Sequence, residues 1–271
     1  YGVEAVDRMS PMAILRAVKK CDMLISGGGS LLQDVTSSKS LHYYLSIIRC
    51  AEFFHKKVFI YSQGIGPIDR PDNRRAAAAA LKRADGIVVR DERSASLLEE
   101  IGIARDKVVI TADPVIRMKK PDGDVGAEIL RKAGVSLDGR LTVGWSIRER
   151  DTDSRFVKEL LRSIQMMKDK YNAQSVLIPF HYEEDGEVCR HIAAQLPDDT
   201  AVCLNEKYLS EDMLSIIGNM DLLVGVRLHS LIYAAIMGVP LIGISYDPKC
   251  TAFLNSVGLD KLSTKENFTA E

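Results

Sequence analysis

Three short stretches of the sequence gather side chains that bind anions or move protons: Trp145-Ser146-Ile147-Arg148, Gly225-Val226-Arg227-Leu228-His229-Ser230 and Tyr246-Asp247-Pro248-Lys249. Arginine's planar fork meets carboxylate and phosphate oxygens in pairs, and such charge-assisted bonds are about twice as strong as neutral ones. Arg148, Arg227 and Lys249 are therefore candidates for holding a multiply charged anion, with the hydroxyls of Ser146 and Tyr246 beside them. An imidazole of ordinary pKa ~6.5 gives or takes a proton near neutrality, which makes His229 a candidate acid or base. Plainer readings stay open. The two arginines could pair with Glu149, Asp151 or another neighbour, and His229 could bond to backbone at a helix start. His181, in Pro179-Phe180-His181-Tyr182, is a loop histidine and the lesser candidate. Cys189 and His191 stand two apart on a helical pattern and face different directions, so no metal site is expected.

The first half offers glycine loops instead of cations. Ser26-Gly27-Gly28-Gly29-Ser30 follows an apolar run and could bring backbone N–H groups close to a ligand, with Gly28 and Gly29 at its centre. Leu31 and Leu32 follow, so neither a dinucleotide fingerprint nor a Walker lysine is completed. Gln63-Gly64-Ile65-Gly66-Pro67 ends another apolar run and could border a cleft or simply turn the chain. Arg90-Asp91 reads as a local ion pair.

These residues are delivered by an alternation of short β-branched or apolar runs with longer amphipathic segments, the pattern of βα repeats around a mostly parallel sheet. Strands are expected near 22–26, 57–63, 86–90 and 107–110, with helices near 11–20, 40–55, 71–84 and 92–101. Pro114, Pro121, Gly123, Gly126 and Gly139 then break the pattern around one short helix, which predicts a linker over 116–140 between domains at 1–115 and 141–271. Five further βα repeats follow, with strands at 141–147, 174–179, 200–203, 221–226 and 240–245. In the strand order 3-2-1-4-5 the first and fourth of these lie side by side at the switch point where such folds bind ligands, which would bring Arg148, Arg227 and His229 together and Lys249 beside them. Two Rossmann-like α/β domains facing a cleft describe the GT-B architecture. The chain opens at Tyr1 in helix-like sequence, so the first strand of the amino-terminal domain is expected to be absent.

Composition agrees with this reading. Over 271 residues, 46% hydrophobic and 27% charged side chains suit a globular protein able to fill a core unaided. A net charge of -1 gives no global field to collect nucleic acid, so an anionic ligand must be held by a local cluster. Five scattered cysteines without a C-x-x-C pair fit reduced thiols. No apolar run approaches the ~20 residues of a membrane helix, and no basic amphipathic helix is evident. A cytoplasmic location is expected, with peripheral contact at the inner membrane face left open.

Taken in order and spacing, Gly27-Gly28-Gly29-Ser30, Gln63-Gly64-Ile65-Gly66-Pro67, Val89-Arg90-Asp91, Pro179-Phe180-His181 and Arg227-Leu228-His229-Ser230 resemble the polysaccharide pyruvyl transferase family, in its CsaB-like form. Gly144-Trp145-Ser146-Ile147-Arg148 and the run from Gly238 to Lys249 strengthen the likeness, which covers nearly the whole chain. The resemblance implies a GT-B-like enzyme that moves the enolpyruvyl carbons of phosphoenolpyruvate onto two hydroxyls of a sugar, leaving a pyruvate ketal and free phosphate. It implies a lipid-linked cell-wall polysaccharide precursor as acceptor, with a sugar similar to N-acetylmannosamine, and a ketal that anchors surface-layer proteins. No cofactor beyond the co-substrate and no nucleic acid partner are implied. On this reading Arg148, Arg227, Lys249, Ser146 and Tyr246 bind the donor and His229 is catalytic, while Gly28, Gly29, Gln63 and His181 lie on the acceptor side or in the cleft. The family opens with a strand and a Gly/Asn-rich loop that this sequence lacks. A nucleotide-sugar glycosyltransferase is the enzymatic alternative, because the strand, helix, Gly238-Val239-Pro240, strand pattern recurs in donor domains of that class. A binding scaffold without catalysis is the third reading.

Overall fold

The structure is a computed structural model that describes residues 2–121, 123–149, 152, 154–259 and 263–270. The chain divides into two compact units, Tyr1–Pro114 and Val115–Glu271. In the first, α1 (Pro11–Lys20), β1 (Met23–Gly27), α2 (Ser38–Phe53), β2 (Lys57–Gln63), α3 (Pro71–Leu81), β3 (Gly86–Val89), α4 (Glu92–Glu100) and β4 (Val108–Ile110) form a parallel sheet in the order β1-β2-β3-β4. Its helix starts are set by residues that satisfy the first free N–H groups: Ser10 accepts from Ala13 and Asp91 from Ser94, while Pro71 occupies the first turn of the alanine-rich α3. Asp34 acts from a distance, accepting from Asp69 N (3.0 Å), Arg70 N (3.1 Å) and Asn73 Nδ2 (2.8 Å) at the start of α3. Burial raises the Asp34 pKa, and these hydrogen bonds outweigh it and hold the carboxyl below its ordinary value.

One face of this sheet supplies Val58, Ile60, Ile87, Val89 and Val108 to a core shared with Leu41, Leu45, Ala77 and Leu98 of the helices. The alternate residues Ile25, Tyr61 and Val109 are exposed. The period of two along each strand accounts for this division.

The second unit is wound on both faces. It contains α5 (Val125–Lys132), β5 (Thr142–Ser146), α6 (Arg155–Tyr171), β6 (Gln174–Leu177), α7 (Tyr182–Ala194), β7 (Ala201–Cys203), α8 (Ser210–Gly218), β8 (Leu222–Gly225), α9 (Leu228–Met237), β9 (Leu241–Ser245), α10 (Pro248–Ser256) and β10 (Ser263–Thr264). All pairings are parallel, in the order β10-β9-β8-β5-β6-β7. The five expected strands thus take the expected order 3-2-1-4-5. A sixth, two-residue strand that the sequence pattern did not predict extends the β9 edge. Every residue of β5 and β6 is buried, as a central parallel strand with helices on each side requires. Val143, Trp145 and Val224 pack with α6 and α7 on one face; Val176, Ile178 and Leu223 pack with α5, α8 and α9 on the other.

The expected linker over 116–140 is corrected by the structure. Its helix α5 packs on α8, where Gly126 N donates to Ser215 Oγ (2.8 Å), and Leu130 and Val135 are fully buried in the core of the second unit. The glycines and prolines that break the sequence pattern here mark turns around a structural helix. Leu130→Ala is expected to lower the unfolding free energy by ~2–5 kcal/mol, the usual cost of emptying a buried leucine site. Urea unfolding checks this; a residue in a free linker would change stability by less than about 0.5 kcal/mol.

Candidate active site

The parallel arrangement places the carboxyl ends of β5, β8 and β9 at one edge, with Ser146 level with Gly225 and Gly225 level with Gly243. Arg148, Arg227 and Tyr246 follow within a few residues. Arg148 Nη1 donates to Tyr246 Oη at 2.7 Å, and its guanidinium carbon lies 5.0 Å from that ring's centroid. Because β8 runs between β5 and β9, this bond crosses over the end of β8, from which Arg227 emerges.

Arg227 is the N-cap residue of α9, and no side chain caps that helix. Its Nε and Nη2 form a fork on Asp185, at 3.0 Å to Oδ2 and 2.5 Å to Oδ1, with Glu184 Oε2 at 3.4 Å from Nη2. Asp185 is 1% exposed and the Arg227 side chain 19%, so the pair is largely sealed from water. Burial pulls the Arg227 pKa down, but the hydrogen bonds and charge of Asp185 more than compensate, and the guanidinium stays charged above its ordinary value. The fork leaves the Nη1 edge without a partner among the described residues. Asp185 Oδ2 also accepts His181 N (2.8 Å), so one carboxylate fixes both Arg227 and the loop after β6.

The other expected residues fall as follows. Ser146 is fully buried, and its hydroxyl has no hydrogen-bond partner among the described residues. Lys249, in the first turn of α10, lies 3.3 Å from Asp247 Oδ2, whose side chain also caps that helix. His229 is exposed in the first turn of α9. His181 is exposed as the N-cap residue of α7, with Nδ1 3.8 Å from Glu183. In the first unit Gly28 and Gly29 take positive φ of 78° and 62°, which glycine alone adopts readily. Gln63 is fully buried and turned inward: Nε2 donates to Ser26 O (2.6 Å) and Ser26 Oγ (2.9 Å), bracing the glycine loop from below. Arg90 pairs with Asp113 (2.9 Å), with Asp91 at 3.7 Å, so it is more than the local pair expected from sequence. Of the plainer partners considered for the arginines, Asp151 lies outside the described residues.

Two participants went unseen in the sequence. Lys265, delivered by the short β10, donates to Glu149 Oε2 (3.0 Å) and to the Arg148 carbonyl, and its Nζ lies 5.6 Å from the Tyr246 ring centroid. No periodicity announces a two-residue strand. Asp185 was legible in principle. It shares a stripe with Val188, Cys189 and Ile192, all buried, and a carboxylate on such a stripe requires a partner.

Among the described residues, Arg227, Lys249 and Lys265 each have a carboxylate partner, whereas Arg148 has a neutral phenol. With Glu184 also on Arg227, four carboxylates meet four cations among the described residues of this edge, and what the arrangement supplies is one guanidinium, Arg148, held by a neutral group and so open to pairing with an anion. A polar pocket at the opposite edge of this sheet is self-satisfied: Arg140 bonds Asp199 (2.9 Å) and Asp221 accepts from Thr142 N (2.8 Å).

A family model described as polysaccharide pyruvyl transferase matches residues 3–248. The chain belongs to the polysaccharide pyruvyl transferase family. It is 21% identical over 263 residues to the amylovoran biosynthesis protein AmsJ of Erwinia amylovora, covering 91% of this chain and 62% of AmsJ. Similar solved structures include the UDP-GlcNAc 2-epimerase of Methanocaldococcus jannaschii, at a TM-score of 0.66 and 13% identity over 97% of this chain and 73% of that one. Anabaena HepE in complex with UDP-glucose matches at a TM-score of 0.55 and 12% identity, covering 86% of this chain and 62% of HepE. These likenesses show the fold: parallel-sheet, Rossmann-like α/β units of the GT-B kind.

The Asp185–Arg227 fork yields a direct prediction for this family member. Asp185→Asn keeps the shape but leaves Arg227 charged in a partly sealed site, and is expected to cost about 3–5 kcal/mol of stability, as breaking one side of a buried pair does. Urea midpoints of the variant and the wild type measure it.

Proposed function

We propose that the protein transfers the enolpyruvyl group of phosphoenolpyruvate to two hydroxyls of a sugar, closing a pyruvate ketal and releasing phosphate. The reading is carried by the Arg148–Tyr246 bond crossing the end of β8 beside the forked Arg227, which gives one sheet edge two oriented guanidinium groups. Phosphoenolpyruvate is a phosphate dianion joined to a carboxylate. Arg227, through its Nη1 edge, and Arg148 meet that charge, with Lys249 and Tyr246 completing the shell, while Ser146 lies buried beneath it. The start of α9 adds its aligned N–H groups and about half a positive charge.

The chemistry needs a proton on C3, which turns C2 into an oxocarbenium-like electrophile. One sugar hydroxyl then attacks C2, the second displaces the phosphate, and the protons of the two hydroxyls balance those taken up by C3 and the leaving group. His229, two residues after Arg227, is the proton donor. Membership of the family and the likeness to AmsJ support a polysaccharide precursor as the acceptor, and the resemblance read from sequence supports a lipid-linked amino sugar such as N-acetylmannosamine at the cytoplasmic membrane face, the product anchoring surface-layer proteins. The chain spans 62% of AmsJ, and no helix among the described residues is long and apolar enough to cross a membrane.

A nucleotide-sugar transferase is the second reading, favoured by the fold neighbours whose structures hold UDP or UDP-glucose. Thermal unfolding separates the two. Phosphoenolpyruvate at a hundredfold excess over its dissociation constant is expected to stabilise the protein by ~2.7 kcal/mol, with no shift from UDP-glucose; the reverse pattern favours the second reading. In turnover, His229→Ala is expected to lower phosphate release on the order of 10²–10⁴-fold with the melting temperature unchanged. Undiminished release removes His229 from the mechanism.

A further inference from the structure

The carboxyl edge of the first sheet carries a polar centre that donor binding does not use. Arg90 leaves the end of β3 with its side chain 6% exposed, a degree of burial that a guanidinium tolerates only when paired and hydrogen-bonded. Its Nη1 donates to Asp113 Oδ2 (2.9 Å), past the end of β4, and its Nη2 to Ser30 Oγ (3.0 Å), past the end of β1. It also lies flat against the residue following β2, since a methyl group at Gly64 would come within 2.6 Å of Nη2. One side chain thereby meets the ends of all four strands.

What it fixes is the glycine loop. Gln63 holds Ser26 at the start of that loop, Gly64 N donates to Gly29 O (3.0 Å), and Arg90 holds Ser30 at its end. Between these supports the loop turns through the two positive-φ glycines. Among the described residues the N–H groups of Gly29, Ser30 and Leu31 donate to no backbone acceptor, so three consecutive donors remain for an external oxygen. Held by Ser30 and backed by Gly64, the loop has little freedom to collapse onto itself.

We infer that Arg90 is a positioning residue for acceptor binding: its guanidinium, through Ser30, holds the Gly27–Ser30 loop in the shape that presents these donors to hydroxyl or acetamido oxygens of the saccharide. The inference rests on the reading of the first unit as the acceptor side. Lysine does not reproduce this arrangement, because its single ammonium nitrogen cannot occupy both positions that Nη1 and Nη2 hold against Asp113 and Ser30. Ser30→Ala is milder, removing only the tie between guanidinium and loop while the Arg90–Asp113 pair stays.

The test uses the full-length protein, with calorimetric binding of a disaccharide ending in N-acetylmannosamine and, separately, the thermal shift with phosphoenolpyruvate. Ser30→Ala is expected to weaken saccharide binding several-fold and Arg90→Lys about tenfold, both with the phosphoenolpyruvate shift intact. In turnover the same variants are expected to raise KM for the saccharide while kcat and KM for phosphoenolpyruvate hold. Equal saccharide affinity in Ser30→Ala and the wild type overturns the inference, as does a wild type that binds no saccharide or a parallel loss of both ligands. A wild type that binds saccharide but ignores phosphoenolpyruvate refutes the donor reading instead, and the saccharide arm still decides the role of Arg90.

Discussion

Arg227 is held by two nitrogens on a carboxylate that is itself shut away from water, and much of the second unit's chemistry follows from that contact. A buried guanidinium is expensive unless its charge is met and its donors are placed. Asp185 does both, and by also accepting the His181 amide it ties the loop after β6 to the residue after β8. Such a pair contributes little net stability compared with apolar packing. What it supplies is direction: Asp185 and Glu184 take the Nε and Nη2 nitrogens and leave Nη1 without a partner among the described residues.

The same device recurs in the first unit. There Arg90, also just past a strand end, is paired with Asp113 and aimed by it, and its second contact, to the Ser30 hydroxyl, shapes a loop instead of facing a ligand. Each parallel sheet thus carries at its carboxyl edge an arginine whose position is set by an aspartate from another element. With a chain charge of -1 and no long-range field, binding charged or strongly polar molecules depends on such local placement.

Much of this is legible in the amino-acid sequence. The alternation of apolar runs and amphipathic segments locates the longer strands and helices, although the central strands β5 and β6, buried along their whole length, also carry Thr142, Ser146, Gln174 and Ser175. The order of the five longer strands in the second unit followed from the topology common to such sheets, and with it the shared edge of Arg148, Arg227 and Tyr246. Partnerships were not legible. Nothing in the spacing of Arg227 and Asp185, 42 residues apart, identifies one as the counter-ion of the other. The two-residue β10 has no period to detect, so Lys265 went unnoticed. The segment 116–140 resembles a linker in sequence because glycine and proline mark turns equally well in a linker and around a packed helix; what decides is the burial of Leu130 and Val135, a property of the folded chain.

The central claim is that two oriented guanidinium groups at the carboxyl edge of the second sheet hold a phosphate and a carboxylate joined in one small molecule. A crystal structure of the full-length protein soaked with phosphoenolpyruvate tests it most directly. The account predicts density at that edge, with the Arg227 Nη1 edge and the Arg148 guanidinium each within hydrogen-bond distance of the ligand's oxygens. Density for the ligand against another surface, or a nucleotide at this edge with phosphoenolpyruvate excluded, would contradict it.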